Sequence, residues 1–379
     1  MSNAFRLPGV THFGWGAVER VGEEAAALGR RALLVTGRSA MRRAGFSDRV
    51  RGLLAEHRVG AVVFDQVEPD PSSATVDRGA EVARDERCDL VVGLGGGSPM
   101  DAARAIAAMA VLDGSIRDYL EGKAIDRPGL PLINIATTSG TASEMTPVSV
   151  ILHEGRQLKM GIRSPHWFAR VAITDPELTL TMPPEVTAAT GLDALTHAVE
   201  SCLSTGATEP SEALALRAVA LIGRSLRAAA ADGGDRPARE AMAIASMTAG
   251  MAFANSGLGL VHGLVHPIGA RFGLSHGAAC GRLLPGVMEY NLPAAETALA
   301  RVGAALVGKS EAGAEEAITA VEALLSDLGV PSGIGDLPIG EEQLGALARD
   351  TLVSGAVKTN PRPVSEQDAL AVLRRAQES

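Results

Sequence analysis

The sequence predicts an N-terminal α/β domain with a parallel sheet and a C-terminal domain built only of helices. The chain has 379 residues, and since a single hydrophobic core rarely extends beyond roughly 250–300 residues, two domains are expected. In the first half, short apolar runs alternate with helical stretches, which is typical of βαβ units. The alternation stops after Asp175. We therefore place the boundary near residue 180, with a dinucleotide-binding domain at 1–180 and a metal and substrate domain at 181–379.

The predicted strands are apolar runs that precede helical or hydroxyl-rich segments. They are RALLVTG from Arg31, GAVVFDQV from Gly60, CDLVVGLGGG from Cys88 and PLINIATT from Pro131. Helices are expected to about His57, from Thr75 and from Pro99. From Pro183 onward the chain contains long Ala-rich and Leu-rich helical stretches such as EVTAATGLDALTHAVESCL, with no convincing strand.

The composition excludes several classes of partner. Hydrophobic residues make up 46% and charged residues 21% of the chain, as in ordinary globular proteins. The net charge is -9 and the basic residues are scattered, so we expect no nucleic-acid partner. The three cysteines, Cys88, Cys202 and Cys280, form no CxxC pair, and the N-terminus has no apolar export segment. These features predict a cytoplasmic protein.

Residues 241–261 carry no charge and are long enough to span a bilayer. They are rich in Ala, Gly, Ser, Thr and Asn rather than Leu, Ile and Phe. This composition favours a helix buried in protein on all sides, so we expect no membrane partner.

A glycine turn between a predicted strand and a predicted helix is a candidate phosphate site. Glycines 95–97 would let a ligand approach the backbone, and the helix N-terminus would offer unpaired N–H groups to an anion. We expect Ser98 as the N-cap, Pro99 at the first helical position and Asp101 closing a capping box. The loop is neither GxGxxG nor GxxxxGK[ST], and a tight turn that binds nothing is the alternative.

A second loop, rich in hydroxyl groups, follows the next strand. Its polar and small residues are Thr137, Thr138, Ser139, Gly140, Thr141 and Ser143. Ligands of doubly wound sheets bind at the carboxyl ends of the strands, where two neighbouring loops can share one ligand. Two such loops make a dinucleotide a better candidate than a lone phosphate.

Three histidines lie close together in GLVHGLVHPIGARFGLSHG. His262 and His266 are four residues apart and share a helix face, and Pro267 with the following glycines is expected to kink or end that helix. His276 would then arrive from beyond a bend. Each histidine alone is more often an ordinary hydrogen-bonded residue, and a metal usually needs a further ligand.

A candidate for that ligand occurs in TGLDALTHAVE. Asp193 and His197 are four residues apart and face one way on a predicted helix. One carboxylate and up to three imidazoles suit Fe²⁺ or Zn²⁺. The alternative is a carboxylate–imidazole pair on the surface of a helix.

Together, GGGSPMDAAR, TTSGTASE, TGLDALTHAVE and HGLVHPIGARFGLSHG resemble the iron-dependent, group III alcohol dehydrogenases, in order and spacing, over nearly the whole chain. The resemblance implies that the metal ligands are Asp193, His197, His262 and His276, and that His266 lies near the substrate without binding metal. It also implies cofactor contacts from Gly96, Gly97, Ser98, Thr137, Thr138, Thr141 and Lys159. Asp70 stands in PDP where the family more often has PNP, and Asp101 and Ser143 complete our candidates in these loops.

The reaction implied by this resemblance is reversible hydride transfer between a nicotinamide cofactor and a small alcohol or aldehyde. Fe²⁺, with Zn²⁺ as the alternative, would act as a Lewis acid, and water or His266 would carry the proton. We expect a homodimer or larger homo-oligomer. Three alternatives stay open: a maleylacetate-reductase-like enzyme, a dehydrogenase of phosphorylated substrates in the same superfamily, and, in a different class, a metallohydrolase or a nucleotide-binding protein.

Two departures from the family pattern concern the substrate. Arg271 and Phe272 stand where relatives commonly have an aromatic pair, and Gly286 stands where they often have histidine. Arg271 suggests an acidic substrate, for which Arg282 is the other hint. The alternative for Arg271 is a solvated guanidinium without a partner.

A further departure concerns the cofactor. NAD-preferring relatives often place an aspartate after the first strand, where this chain has Gly37 followed by Arg38 and Ser39. Arginine near the ribose 2′-position commonly accommodates the phosphate of NADP. We therefore predict a modest preference for NADP over NAD, with use of both cofactors as the alternative.

Overall fold

The computed structural model describes residues 4–156 and 158–378, which divide into two compact units. The first unit comprises Leu7–Thr181, and the second comprises Met182–Ser379 joined by the N-terminal residues through Arg6. The Arg6 backbone N–H donates to Asn255 Oδ1 over 2.7 Å, and Asn255 Nδ2 donates back to the Arg6 carbonyl over 3.0 Å. This exchange ties the start of the chain to the helical unit.

The first unit is α/β, as the sequence predicts. Its strands are β1 (Val10–Phe13), β2 (Arg31–Gly37), β3 (Gly60–Val67), β4 (Leu90–Gly95), β5 (Leu132–Ala136), β6 (Val148–His153), β7 (Leu158–Arg163) and β8 (Val171–Thr174). Its α-helices are α1 (Val21–Leu28), α2 (Ala40–Arg43), α3 (Phe46–Glu56), α4 (Ser73–Asp85), α5 (Gly97–Met109) and α6 (Ile116–Leu120). The four strands predicted from apolar runs are β2 to β5, whereas the pattern missed β1, β8 and the antiparallel pair β6–β7.

The main sheet has six parallel strands in the order β1-β8-β5-β4-β2-β3. Its central strands are buried on both faces: Leu33 and Val35 belong to one apolar core, and Leu34 to the other. Strand β2 lies between β3 and β4, so the chain leaves β2 toward one edge and later returns to its opposite side. Ligands of such sheets bind at this switch point, at the carboxyl ends of the strands.

The second unit is helical, and its described residues contain no strand. Its helices are α7 (Pro184–Leu203), α8 (Glu209–Ala231), α9 (Arg236–Ser256), α10 (Leu260–Phe272), α11 (His276–Val307), α12 (Ala314–Asp327), α13 (Glu341–Thr351) and α14 (Glu366–Glu378). They share a continuous apolar core. Among the described helices, none alone has the length and hydropathy to cross a membrane, although α9 and α10, bent by 107°, meet that criterion as a pair.

One predicted helix start was wrong. Helix α5 starts at Gly97 after Gly96, so Ser98 is not its N-cap and forms no capping box with Asp101. The Ser98 hydroxyl instead accepts the Asp70 backbone N–H over 3.2 Å. Helix α10 runs through Pro267 and ends at Gly273, one of the glycines that follow it, whose φ of 69° lies in the left-handed region.

We predict opposite effects on stability for two glycine substitutions in the α/β unit. A Cβ on Gly93, in β4, would lie 2.5 Å from Asn134 Oδ1 and 2.8 Å from Ala103 Cβ. Gly93→Ala should therefore destabilise this unit by about 1–3 kcal/mol through overpacking. Gly52, exposed in α3, has nothing within 4 Å of such a Cβ, and Gly52→Ala should stabilise by about 0.5–1 kcal/mol. Thermal unfolding tests both, and an unchanged transition in Gly93→Ala would contradict the packing described here.

Candidate functional site

Helix α7 brings three polar side chains into the core of the helical unit. Asp193, His197 and Glu200 are all buried. Spacings of four and seven residues place them on one side of the helix. Because buried polar groups are costly without partners, their partners define the site.

The partners come from the start of α10 and the start of α11. Asp193 Oδ1 lies 3.8 Å from His262 Nε2 and 3.6 Å from His276 Nε2. On its own helix, the nearest imidazole atom is His197 Nδ1 at 3.8 Å. The His197 and His262 rings stack with centroids 4.5 Å apart. The structure thus brings together all four residues that the resemblance implies as metal ligands.

A fifth candidate donor, Cys280, was missed from the sequence. One ligand atom from each of Asp193, His262, His276 and Cys280 lies within 4.8 Å of the others. Cys280 is on α11, four residues after His276, so this helical spacing was a signal that could have identified it. Burial raises the pKa of its thiol well above the usual range, and the thiol interacts with the Asp193 carboxylate.

The donor set fits a divalent cation. Asp193 Oδ1 is buried and accepts no hydrogen bond from the part of the chain that the structure describes, which is costly for an ionised carboxylate. Ligand atoms bound at about 2.0–2.2 Å to one ion lie roughly 3–4 Å apart, close to the distances found here. Nitrogen and oxygen donors of this type suit Fe²⁺ and Zn²⁺.

Burial sets the protonation of these groups. It raises the pKa of Asp193 to about 7, with the charge of Glu200 acting in the same direction. It lowers the pKa of His262 to about 3, and His266 acts in the same direction. His262 is therefore neutral at physiological pH and has a lone pair for a metal, whereas a cation beside Asp193 would favour its ionised form.

Glu200, also missed from the sequence, contacts the start of α10. Its Oε2 accepts the Gly259 N–H over 2.9 Å and lies 2.6 Å from His262 Nδ1, and its Oε1 accepts the Val261 N–H over 2.6 Å. Burial raises the pKa of Glu200 to about 8, although these backbone N–H groups oppose the shift. Its position seven residues after Asp193 was the available signal.

His266 is half-buried beside this donor group. Its ring stacks on that of His276, with centroids 5.3 Å apart. Like His197, it lies outside the described set of donor atoms within 4.8 Å of one another. His197 differs from it in having a nitrogen 3.8 Å from Asp193 Oδ1.

In the α/β unit, the glycine loop and the hydroxyl loop meet. A Cβ on Gly96 would lie 3.3 Å from Thr138 Cγ2, and one on Gly97 would lie 2.9 Å from Thr141 Cγ2. The buried hydroxyls of Thr138 and Ser139 have no hydrogen-bond partner among the described residues. A bare backbone beside unpaired hydroxyls fits a cofactor with phosphate and ribose groups.

Thr137 is buried at the end of β5 and donates its N–H to the Gly95 carbonyl over 2.9 Å.

Lys159 and Asp70 form an ion pair of 2.7 Å near this edge of the sheet. The Lys159 side chain is buried, whereas that of Asp70 is half exposed. Asp70 has a positive φ of 55°, and its N–H reaches Ser98, as described above. The pair connects the end of β3 with the hairpin strand β7.

Asp101 and Ser143 have other partners. The Ser143 hydroxyl donates to Asp101 Oδ1 over 2.5 Å, and the Val150 N–H donates to Asp101 Oδ2 over 2.9 Å. Arg104, fully buried, donates to both side chains. The two residues thus hold α5, the hydroxyl loop and β6 together, which makes them supports of the loops rather than open contacts.

The end of β2 is basic. Arg38 is exposed, and Ser39 accepts a hydrogen bond of 2.5 Å from Arg43. Arg42 is paired with Asp65 over 2.9 Å. A Cβ on Gly37 would meet only Val67 O at 3.7 Å and Pro99 Cγ at 3.8 Å, so there is space beside the strand end.

The arginines that suggested an acidic substrate both have carboxylate partners. Arg271 pairs with Asp350. Buried Arg282 pairs with Asp336 and donates to the Gly333 carbonyl over 2.6 Å. Arg271 is therefore exposed, as the alternative to an acidic substrate expected, but it is not without a partner.

Comparisons with known proteins agree over the length of the chain. Residues 8–176 match a model described as iron-containing alcohol dehydrogenase, and residues 187–377 match the C-terminal model of the Fe-containing alcohol dehydrogenase family. The NAD-dependent methanol dehydrogenase of Bacillus methanolicus is 36% identical over 382 residues, covering 99% of this chain and 100% of that protein. The 1,3-propanediol dehydrogenase of Klebsiella pneumoniae is 39% identical over 380 residues, covering 98% of each.

Solved structures give the same result. A crystal structure of 1,3-propanediol oxidoreductase has a TM-score of 0.94 at 37% identity, covering 99% of this chain and 100% of that chain. A sulfoacetaldehyde reductase from Bifidobacterium kashiwanohense, in complex with NAD+, has a TM-score of 0.91 at 31% identity and covers 100% of both chains.

Proposed function

This chain belongs to the iron-containing alcohol dehydrogenase family, and from that premise we propose which of its residues carry out the reaction. The protein is an oxidoreductase that transfers a hydride between a nicotinamide cofactor and an alcohol or aldehyde. Its substrate is a small molecule. The residues that bind metal, cofactor and substrate are proposals, supported by the geometry of each unit.

The metal ligands are Asp193, His197, His262 and His276. The observation that carries this assignment is Asp193 Oδ1, which is buried without a hydrogen bond from the described residues and lies 3.6–3.8 Å from three imidazole nitrogens. Fe²⁺ is the ion that the family description names, and Zn²⁺ suits the same donors. We assign Cys280 a supporting contact with Asp193 rather than a metal bond, since the resemblance implies only the other four residues as ligands.

When bound, the metal supplies Lewis-acid polarisation of a hydroxyl or carbonyl group, and the nicotinamide supplies or accepts the hydride. Asp193 provides negative charge, and the three imidazoles orient around it. His266 moves the substrate's proton, a role that its half-buried ring, stacked on that of His276, supports. The substrate is a small alcohol or aldehyde, and the pairing of Arg271 with Asp350 and of Arg282 with Asp336 weakens the case for an acidic one.

The cofactor binds at the carboxyl edge of the parallel sheet. Gly96, Gly97 and Ser98 contact its phosphates, and the hydroxyl loop contacts it through Thr137, Thr138 and Thr141. Lys159, with Asp70, lies at the same edge. At the end of β2, Gly37, Arg38 and Ser39 leave space and positive charge for a 2′-phosphate, which favours NADP over NAD.

A cytoplasmic location and a homodimer or larger homo-oligomer complete the proposal. The described cysteines are all free thiols, which agrees with a reducing compartment. Size-exclusion chromatography with light scattering measures the oligomeric state directly.

We predict that His262→Ala, His276→Ala and His197→Ala each remove most of the bound metal while the fold survives, because each takes away one imidazole ligand. Cys280→Ser, the control, should keep its metal. Elemental analysis of the purified variants, with circular dichroism for the fold, checks this. Metal loss in Cys280→Ser together with full metal in His197→Ala would replace His197 by Cys280 in the ligand set.

His266→Ala should separate the proton carrier from the ligands. We expect it to retain metal and to lose rate by about 100-fold, the typical contribution of a general acid or base. Metal content and kcat, measured on the same preparation, test the expectation. Metal loss as large as that in His262→Ala would make His266 a ligand.

Cofactor choice is tested by Gly37→Asp. A Cβ at this position meets nothing closer than 3.7 Å. An aspartate there would repel the 2′-phosphate, so the ratio of kcat/KM for NADP to that for NAD should fall by about tenfold or more, equivalent to ~1.4 kcal/mol. Arg51→Ala, on the exposed part of α3, changes the net charge equally and should leave the ratio unchanged. A strong preference of the unmodified chain for NAD would show that the prediction from Gly37 and Arg38 is wrong.

A further inference from the structure

We propose that Glu200 is a positioning residue for the metal site: its carboxylate holds His262 in the tautomer whose Nε2 is free to bind metal. The proposal rests on the proposed role of His262 as a ligand. Glu200 itself does not reach the metal donors, since its contacts are with the first residues of α10 and with the far nitrogen of the His262 ring.

The tautomer follows from counting donors and acceptors around Glu200. Oε2 accepts the Gly259 N–H over 2.9 Å, and Oε1 accepts the Val261 N–H over 2.6 Å. In its ionised form, which these two backbone N–H groups favour, Glu200 has only acceptors, so His262 Nδ1, 2.6 Å from Oε2, donates. A neutral imidazole carries one proton, so Nε2 keeps its lone pair. That atom lies 3.8 Å from Asp193 Oδ1, on the side of the metal donors.

The same carboxylate replaces a missing helix cap. The N-cap of α10 is Gly259, which has no side chain to accept the first N–H groups of the helix. Glu200, which lies on the neighbouring helix α7, accepts two backbone N–H groups at this end of α10. Asn360 Oδ1 accepts the backbone N–H of Leu260 over 3.1 Å. Among the described residues, only Glu200 both holds the helix start and contacts the His262 ring, so the two tasks can be separated by mutation.

Glu200→Gln reverses the tautomer with little change in shape. If the amide NH₂ group replaced Oε1, two donors, this group and the Val261 N–H, would face each other at 2.6 Å, and the NH₂ group would gain no acceptor. If it replaced Oε2, it would oppose the more distant Gly259 N–H and gain a hydrogen bond to His262 Nδ1. The second orientation is favoured, and it moves the imidazole proton to Nε2, where it competes with the metal.

Two measurements test the proposal, and neither depends on catalysis. The first is ¹⁵N NMR of histidine-labelled, metal-free protein, with the His262 signal identified by its absence from His262→Gln. We expect protonation at Nδ1 in the unmodified chain and at Nε2 in Glu200→Gln. The second is a Zn²⁺ titration against a competing chelator. We expect Glu200→Gln to bind about 10- to 100-fold more weakly, the usual effect of losing a hydrogen bond to a metal-ligating histidine.

Asn360→Ala is the matched control. It removes the other side-chain acceptor at the start of α10 but leaves His262 Nδ1 untouched, so the melting temperature should fall while the tautomer and the Zn²⁺ affinity stay as in the unmodified chain. Equal loss of affinity in Asn360→Ala would mean that Glu200 acts only through the helix start, which overturns the proposal.

Two further outcomes would overturn the proposal, and a third would refute the ligand assignment on which it rests. A proton on Nε2 of His262 in the unmodified chain overturns the proposal without any Glu200 variant, even if Glu200→Gln fails to fold. Unchanged Zn²⁺ affinity in Glu200→Gln overturns it as well. Full metal content in His262→Ala, with Nδ1 protonated in the unmodified chain, would instead refute the ligand assignment in the proposed function.

Discussion

A carboxylate oxygen buried among imidazoles is the constraint on which the site of this enzyme depends. Asp193 Oδ1 accepts no hydrogen bond from the described residues, and three histidine nitrogens lie 3.6–3.8 Å away. An ionised carboxylate in that setting is costly. A divalent cation held by the proposed ligands would remove this cost, which would link metal binding to the stability of this region.

Helix α7 carries this carboxylate and a second one, and the two contact the starts of two other helices. Asp193 and Glu200 lie seven residues apart on one side of it, and they act on the start of α11 and the start of α10. Both carboxylates are buried, and burial raises the pKa of each to about 7 and about 8 respectively. The backbone N–H groups of α10 stabilise Glu200, whereas Asp193 is the carboxylate that we propose as a metal ligand. The two buried acids therefore have different partners and different tasks.

The α/β unit has a different proposed role, the binding of a large, flexible cofactor. Here the backbone does much of the work, because parallel strands end at one edge of the sheet and glycines leave their N–H groups accessible. The close approach of Gly96 to Thr138 and of Gly97 to Thr141 joins two loops into one surface. The buried network of Asp101, Arg104 and Ser143 supports that surface from behind.

Sequence alone predicted the α/β and helical halves, because periodicity is a local property, and its resemblance to a known family implied the candidate ligands Asp193, His197, His262 and His276. Only the tertiary structure decided that Pro267 does not end its helix, that Asp101 binds Ser143 and Val150 rather than capping α5, and that Asp350 neutralises Arg271. It alone placed Glu200 on His262, 62 residues along the chain. Such pairings depend on how helices and loops distant in sequence pack together, and local spacing carries no record of that packing.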